Sequence, residues 1–425
     1  MSADSKKKQV DLIVHPIGEL CSSVASDEPL HGAEMSNIVI MTNAALAVDN
    51  GVIVHCAEAE EVLAQVELKE GGKKIDASGK VVIPGFVDPH THLVFAGNRA
   101  AEFERRIGGA TYQEIAAAGG GIQSTVALTR AATEDGLLAQ ARKHRDWMLR
   151  GGTTTLEAKS GYGLNAETEL RMLRVLARLG ADGPMRIVPT LLAAHTVPRE
   201  MANRRDEYLR GIIDELIPEV AAKKLARYCD AFCDDHAFTV VETRKVLEAA
   251  KRHGLGLRIH AEQFRSGTGA ALGAELKAAT VDHLETVTEE TLRLLLTAGV
   301  QPVLLPASVF CLGRDQYPPA RTMIEMGLPV VIATDFNPGS SPAPSMPFTM
   351  SLACIHMRML PAEVLTAATI NAAWSVGLGN EIGSLETGKA ADLLIHECDD
   401  YRELSYYVAV PARPRVFVDG HEVTL

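Results

Sequence analysis

"VIPGFVDPHTHLVFAGNR", residues 82–99, is an apolar run that ends by placing His90 and His92 on either side of one threonine. Successive side chains of a β-strand point to opposite faces, so residues two apart share a face. Read as a strand, the segment aims both imidazoles to the same side at its end. Two neutral imidazoles make half of a tetrahedral or five-coordinate site for a borderline divalent metal. A partly exposed pair in a turn explains a His-x-His spacing equally well, so the remaining ligands must come from elsewhere in the chain.

Outward from this stretch the chain alternates apolar strands with amphipathic helices. The strands after "VVIPGFVDPHTH" are "GTTTLEAKSG", "RIVPTLLAAH", "RYCDAFCDD", "GLGLRIHAEQ", "ATVDHLE", "QPVLLPAS" and "LPVVIATDFNPG". Helices read clearly in "NAETELRMLRVLARLG", "TVVETRKVLEAAKRHG" and "TEETLRLLLTAG", each with a polar start and a glycine at its close. Such alternation marks parallel βα units, and eight strands is the count of a (β/α)₈ TIM barrel. The fold class is therefore α/β.

The two ends differ from this centre. "NAALAVDNGVIVHCA" is a hairpin through Asp49-Asn50-Gly51, and "KAADLLIH" and "RPRVFVDGHEVTL" are strand-like with a turn at Asp419-Gly420. Neither end can bury a sheet face alone. The expected organisation is a small composite β-sandwich domain built from residues 1–82 and 376–425, with the barrel, residues 83–375, between them.

At 425 residues the chain can bury a large core. Its formal net charge is -12, and the one lysine block, Lys6-Lys7-Lys8, is too short for a nucleic-acid footprint. A small-molecule partner is expected. The seven cysteines include no Cys-x-x-Cys pair, and "MSADSKKKQVDL" lacks the apolar centre of a secretory signal. These features, with no run long enough to span a membrane, point to the reducing cytoplasm. Cys229 and Cys233 read as core residues.

In a barrel, functional groups gather where the strands end. Those ends carry His90 and His92 (strand 1), His195 (strand 3), His260 (strand 5), His283 (strand 6) and Asp335 (strand 8). A lone histidine there is usually structural; five histidines and an aspartate at equivalent positions define a metal site. Imidazoles with one carboxylate suit Zn²⁺ or Fe²⁺/Fe³⁺ better than Ca²⁺ or Mg²⁺. "RYCDAFCDD" has no lysine to bridge a second ion, so one metal per chain is expected. Such an ion lowers the pKa of bound water to about 7, which suits hydrolysis of a C–N bond.

"PGFVDPHTH", "DHLE", "TDFNPG" and "IGSLETGKAADLLIH" resemble the amidohydrolase superfamily across nearly the whole chain. Within it, "HTHLVFAGNRAAEFERRIGGATYQEIAAAGGGI", "AKSGYGL", "DAFCDD" and "ATDFNPGSSP" are similar to the imidazolonepropionase family. That resemblance implies hydrolysis of the lactam C–N bond of 4-imidazolone-5-propanoate to N-formimidoyl-L-glutamate, by a homodimer in histidine catabolism. It implies His90, His92, His260 and Asp335 as ligands of one Zn or Fe ion and His283 as the proton-handling residue, with Asp335 and Gln263 also catalytic. Arg99, Tyr162, His195, Gln263, Asn337, Gly339 and Ser340 match substrate-binding positions, and Tyr112 lies in the same lining segment.

The residue chemistry agrees for several of these. A guanidinium one short loop after His92 is suited to grip a carboxylate, although alone Arg99 reads as a surface arginine. Tyr162 stands between two glycines, where a ligand can approach closely or a plain turn can form. Two positions depart from pattern. Gln263 stands where related aromatic deaminases and some imidazolonepropionases carry glutamate, and His236 stands where a small residue is expected. Two rival readings remain: a mononuclear deaminase of a ring such as guanine or cytosine, and an inactive amidohydrolase-like scaffold.

Overall fold

The computed structural model describes residues 7–110, 114, 119–235, 237–411 and 413–424. Eight parallel strands follow one another around a barrel: β1 (Phe86–Thr91), β2 (Thr153–Lys159), β3 (Arg186–Ala194), β4 (Tyr228–Cys233), β5 (Gly256–Ala261), β6 (Thr280–His283), β7 (Gln301–Leu304) and β8 (Val331–Ile332). Each corresponds to one of the eight segments expected from the sequence. Every residue of β1 and of β2 is buried, as parallel strands covered on both faces require.

Because β8 spans only two residues, groups beyond it complete the ring. Thr91 forms a parallel bridge with Phe336, and the His92 amide donates to the Phe336 carbonyl at 2.9 Å. Below that seam, the Asp88 carboxylate accepts from the Thr334 amide at 3.1 Å and from the Thr334 hydroxyl at 2.5 Å. Burial pushes the Asp88 carboxyl up to about 7, against the pull of those two donors.

The helices begin where the sequence suggests. Asn165, Thr239 and Thr288 each accept an amide of the first turn, capping Ala166–Ala181, Val240–Arg252 and Glu289–Ala298. Gly299 ends the last of these in the left-handed region. The first runs on through Gly180, so that glycine does not mark its end.

Both chain ends enter a single seven-stranded sheet. Four N-terminal strands, Lys8–Ser23, Ile38–Asp49, Val52–Glu58 and Val66–Pro84, join Leu393–His396, Arg415–Val418 and His421–Glu422. The link is the antiparallel pairing of Val81–Pro84 with Leu393–His396. Both expected hairpins are present, with Asn50, Gly51, Asp419 and Gly420 all at positive φ. The sheet also curls back on itself, since Val52 bridges Ala390 and the two flanks share a core containing Ile53, Leu393 and Phe417. The expected sandwich is thus one folded sheet. Gly85 joins it to the barrel, where a Cβ would come within 2.3 Å of the Thr154 hydroxyl.

Asp88→Ala should remove the acceptor of two buried donors and lower stability by ~1–3 kcal/mol. The urea unfolding midpoint reads this directly, and an unchanged midpoint would mean that the short β8 needs no side-chain closure.

Candidate active site

At the C-terminal ends of the strands lies a cavity of about 350 Å³. His92, Arg99, Tyr162, His195, His260, Gln263, His283, Asp335, Asn337, Gly339 and Ser340 all face it. His90 lies fully buried just beneath, its ring 4.5 Å from that of His260 and 5.4 Å from that of His92. Every sequence-predicted site residue that the structure describes is therefore gathered in one place. Tyr112 and His236 lie outside the described residues.

Two overlapping groups can hold a metal ion: His90, His92 and Asp335, and His90, His260 and His283. Asp335 Oδ1 stands 3.6 Å from His90 Nε2 and 3.5 Å from His92 Nε2. Three of these four histidines, all but His92, are oriented by an acceptor behind them. His90 Nδ1 meets Asp282 at 2.6 Å, His260 Nδ1 meets Asp230 at 3.0 Å, and His283 Nδ1 meets Glu285 at 3.3 Å. With Nδ1 as donor, Nε2 keeps its lone pair, the form a metal requires. The Nε2 atoms of His90 and His260 are buried without a hydrogen-bond partner. Buried polar atoms are normally satisfied, so this donor set fits an ion.

Electrostatics divides the histidines. Burial holds His90 well below its usual range and lowers His260 despite the Asp230 carboxylate, so both prefer to be neutral. Burial also pulls on His283, but the charge and hydrogen bond of Glu285, together with the charges of Asp335 and Asp282, outweigh it and His283 is raised. Burial would raise Asp335, yet its hydrogen bond with His92 and the neighbouring imidazoles keep it lowered and ionised. Backbone strain accumulates here too: Glu262, His283, Leu284 and Asp335 all adopt positive φ, a region costly for side chains of this size.

The rest of the wall is built by loops. Asn337 donates to the Asp335 carbonyl at 2.7 Å and accepts the Gly339 and Ser340 amides at 2.8 Å each, which shapes the loop after β8. Arg99 gives its Nε to Thr125 at 3.0 Å, with Nη1 3.6 Å from Glu102. A Cβ at Gly339 would fall 2.3 Å from Arg99 Nη1, so a side chain there would push the guanidinium out of this position. Arg99 is partly covered, not the freely solvated surface arginine of its simpler reading. His195 turns Nδ1 to the Gly161 carbonyl at 2.9 Å and stacks on His92 at 5.3 Å between centroids.

Sequence reading missed Glu102, Arg106 and Arg314, which also line the cavity. Arg106 reaches across to the Cys311 carbonyl at 3.0 Å, and Arg314 to the Gln263 carbonyl at 3.0 Å. Nothing in their local sequence distinguishes them from surface arginines. It also missed Glu157, Lys159, Asp230, Arg258 and Asp282, all without exposed surface. Their signal was present as charges embedded in otherwise apolar strands. Cys229 and Cys233 are buried in the core, and all seven cysteines are free.

The fold and this mouth define a hydrolase class, and sequence comparison agrees. The chain belongs to the amidohydrolase family, whose model matches residues 81–423, and within that family to the imidazolonepropionases. Imidazolonepropionase of Solibacter usitatus is 51% identical over 92% of this chain and 93% of its own length. That of Symbiobacterium thermophilum is 44% identical over 98% and 99%. Among solved structures, E. coli guanine deaminase superposes with a TM-score of 0.71 at 15% identity, covering 97% of this chain and 99% of its own. A 5-methylcytosine deaminase from Klebsiella pneumoniae gives 0.70 at 17%, covering 96% and 98%. At such identities the deaminases share the fold and carry no argument for deamination. No helix among the described residues is long and apolar enough to cross a membrane.

His260→Ala should weaken Zn²⁺ binding by at least roughly a hundredfold, beyond what loss of an outer-shell group costs. Competition against a chromophoric chelator measures it, and wild-type affinity in that variant would remove His260 from the centre.

Proposed function

We propose that this chain hydrolyses the ring lactam C–N bond of 4-imidazolone-5-propanoate to give N-formimidoyl-L-glutamate, using one Zn or Fe ion. The observation that carries the reading is Arg99, which shares a single cavity with the His/Asp cluster and so offers a carboxylate clamp beside a hydrolytic centre. Full-length similarity to imidazolonepropionases supports the substrate, and the unpartnered Nε2 atoms support the ion.

His90, His92, His260 and Asp335 hold the ion, which when bound supplies Lewis-acid activation of water. Arg99, fixed from behind by Thr125, pairs with the propionate carboxylate, and the buried Tyr162 phenol donates to it. Burial keeps that phenol protonated. His195 stays neutral because burial holds it well below its usual range, and with Nδ1 committed to Gly161 its Nε2 can accept a ring N–H. Gln263 orients the ring through its amide, and its own backbone is tied by Arg314.

The water oxygen adds to the lactam carbonyl carbon, and the ring C–N bond breaks. Asp335 takes the proton released by water, His283 delivers its proton to the departing nitrogen, and the proton held by Asp335 then recharges His283. The new carboxyl ionises and lies toward the loop organised by Asn337, beside the Gly339 and Ser340 groups. His283 suits this role because Glu285 raises it, so it can carry the proton that His90 and His260 resist. Gln263 cannot exchange a proton as the glutamate of zinc deaminases does, which disfavours deamination.

Purified protein added to freshly generated imidazolone propionate should remove its ultraviolet absorbance while elemental analysis finds one metal per chain. It should release negligible ammonia from guanine or cytosine. Efficient nucleobase deamination, or two metals per chain, would overturn the assignment.

Arg99→Met should lower kcat/KM by about one to two decades with metal retained, the loss expected for a charge-assisted contact of ~1.5–3 kcal/mol. Under the same assay His283→Ala should lose mainly kcat. An unchanged kcat/KM in the first would place Arg99 outside the substrate pocket.

A further inference from the structure

Below the cavity floor, five charged side chains have no exposed surface: Glu157, Lys159, Asp230, Arg258 and Asp282. The Lys159 ammonium lies 2.9 Å from Glu157 Oε1, 2.9 Å from Asp230 Oδ2 and 3.7 Å from Asp282 Oδ2. Asp230 and Asp282 are the acceptors that orient His260 and His90. Arg258 serves differently. Its terminal nitrogens go to the Ser375 and Pro89 carbonyls at 3.0 and 2.7 Å, and its approaches to Glu157 and Asp282 are 3.9 and 3.7 Å. Among the described residues, Lys159 is thus the cation in direct contact with Glu157 and Asp230, while it and Arg258 both approach Asp282 to 3.7 Å.

We infer that Lys159 is a positioning residue for the metal centre: one buried ammonium that holds Asp230 in contact and, together with Arg258, offsets the charge of Asp282, and thereby orients His260 directly and His90 through the shared layer. The inference rests on reading those two histidines as ligands. Three buried carboxylates crowded into one interior repel each other, and their attraction to a cation at contact distance is strong in a low-dielectric surround. Without the ammonium, Asp230 and Asp282 move apart or recruit water, and each imidazole loses the acceptor that fixes its proton on Nδ1. Both ligands are then free to flip or to take the other tautomer, which presents N–H to the ion. A single residue on β2, itself no ligand, would so govern ligands on β1 and β5.

The experiment compares wild type, Lys159→Met and Lys159→Arg. Zinc affinity is measured by chelator competition, and histidine tautomers by ¹⁵N NMR of the metal-free proteins. Lys159→Met should bind zinc about tenfold to a hundredfold more weakly, the range typical of outer-shell losses, and Lys159→Arg should recover part of it. In the Met variant the uniform Nδ1–H signature should be lost at His90 and His260. It should persist at His144 and His195, whose Nδ1 atoms bond to the backbone carbonyls of Leu93 and Gly161. A general loosening of the fold would move all four.

If Lys159→Met does not fold, Lys159→Met with Asp230→Asn restores the wild-type balance of buried charge and should show the same weakened zinc binding. Zinc affinity within twofold of wild type in either variant, with tautomers unchanged, overturns the inference. Failure of the wild type itself to bind zinc would instead overturn the reading of the site.

Discussion

Lys159 Nζ sits between Glu157 and Asp230, 2.9 Å from each, in a barrel interior closed to solvent. Removing an ion from water costs several kcal/mol even after relaxation, so such charges are tolerable only when closely paired. That requirement constrains the register of the inner strands. Glu157 and Lys159 share the inner face of β2, and the pairing of β4 with β5 sets Asp230 level with Arg258. A one-residue slip of any of these strands would turn a charge outward and leave its partner alone. The layer above inherits this precision, because His260 stands two residues beyond Arg258 and His283 directly follows Asp282.

The chain carries a formal net charge of -12, yet Arg99, Arg106 and Arg314 converge on one cavity. Each guanidinium is anchored to a neighbouring segment: Arg99 to Thr125 in the helix Ile122–Ala131, Arg106 to Cys311 at the end of the helix Pro306–Cys311, and Arg314 to the Gln263 carbonyl. Anchored cations in a low-dielectric cleft act without reorganising when an anion arrives. The acidic exterior and the basic mouth therefore answer to different demands, solubility and selection.

Much of this was legible in the sequence because it depends on short-range pattern. The spacing of His90 and His92 places both on one face, and the eight apolar segments recur with amphipathic helices between them. The loop "FNPGSSP" directly follows Asp335 in the chain, which ties it to the site. What could not be read depends on contacts between residues far apart in the chain. Arg314 reaches the Gln263 carbonyl and Arg106 that of Cys311 only after the loops have folded over the mouth. The buried layer was half legible. A charge inside an apolar strand is visible in "TTTLEAKS" and "YCDAFC", but which carboxylate meets which cation is set by strand register. The small domain shows the same limit, since its strands and their joining from both chain ends were evident and their arrangement as one curled sheet was not.

That curled sheet also dictates an order of events during synthesis. Val66–Pro84 finds its partner, Leu393–His396, only after the whole barrel has been translated. Pairings across so long a loop form late. Until then one flank of Val66–Pro84 is an unpaired edge, the kind of surface that invites wrong partners. The four early strands can meanwhile pair with one another, through their own local hairpin and between Lys8–Ser23 and its neighbours. The small domain is therefore complete only once both chain ends are present, and a chain stopped within the barrel would leave that flank of Val66–Pro84 without its partner.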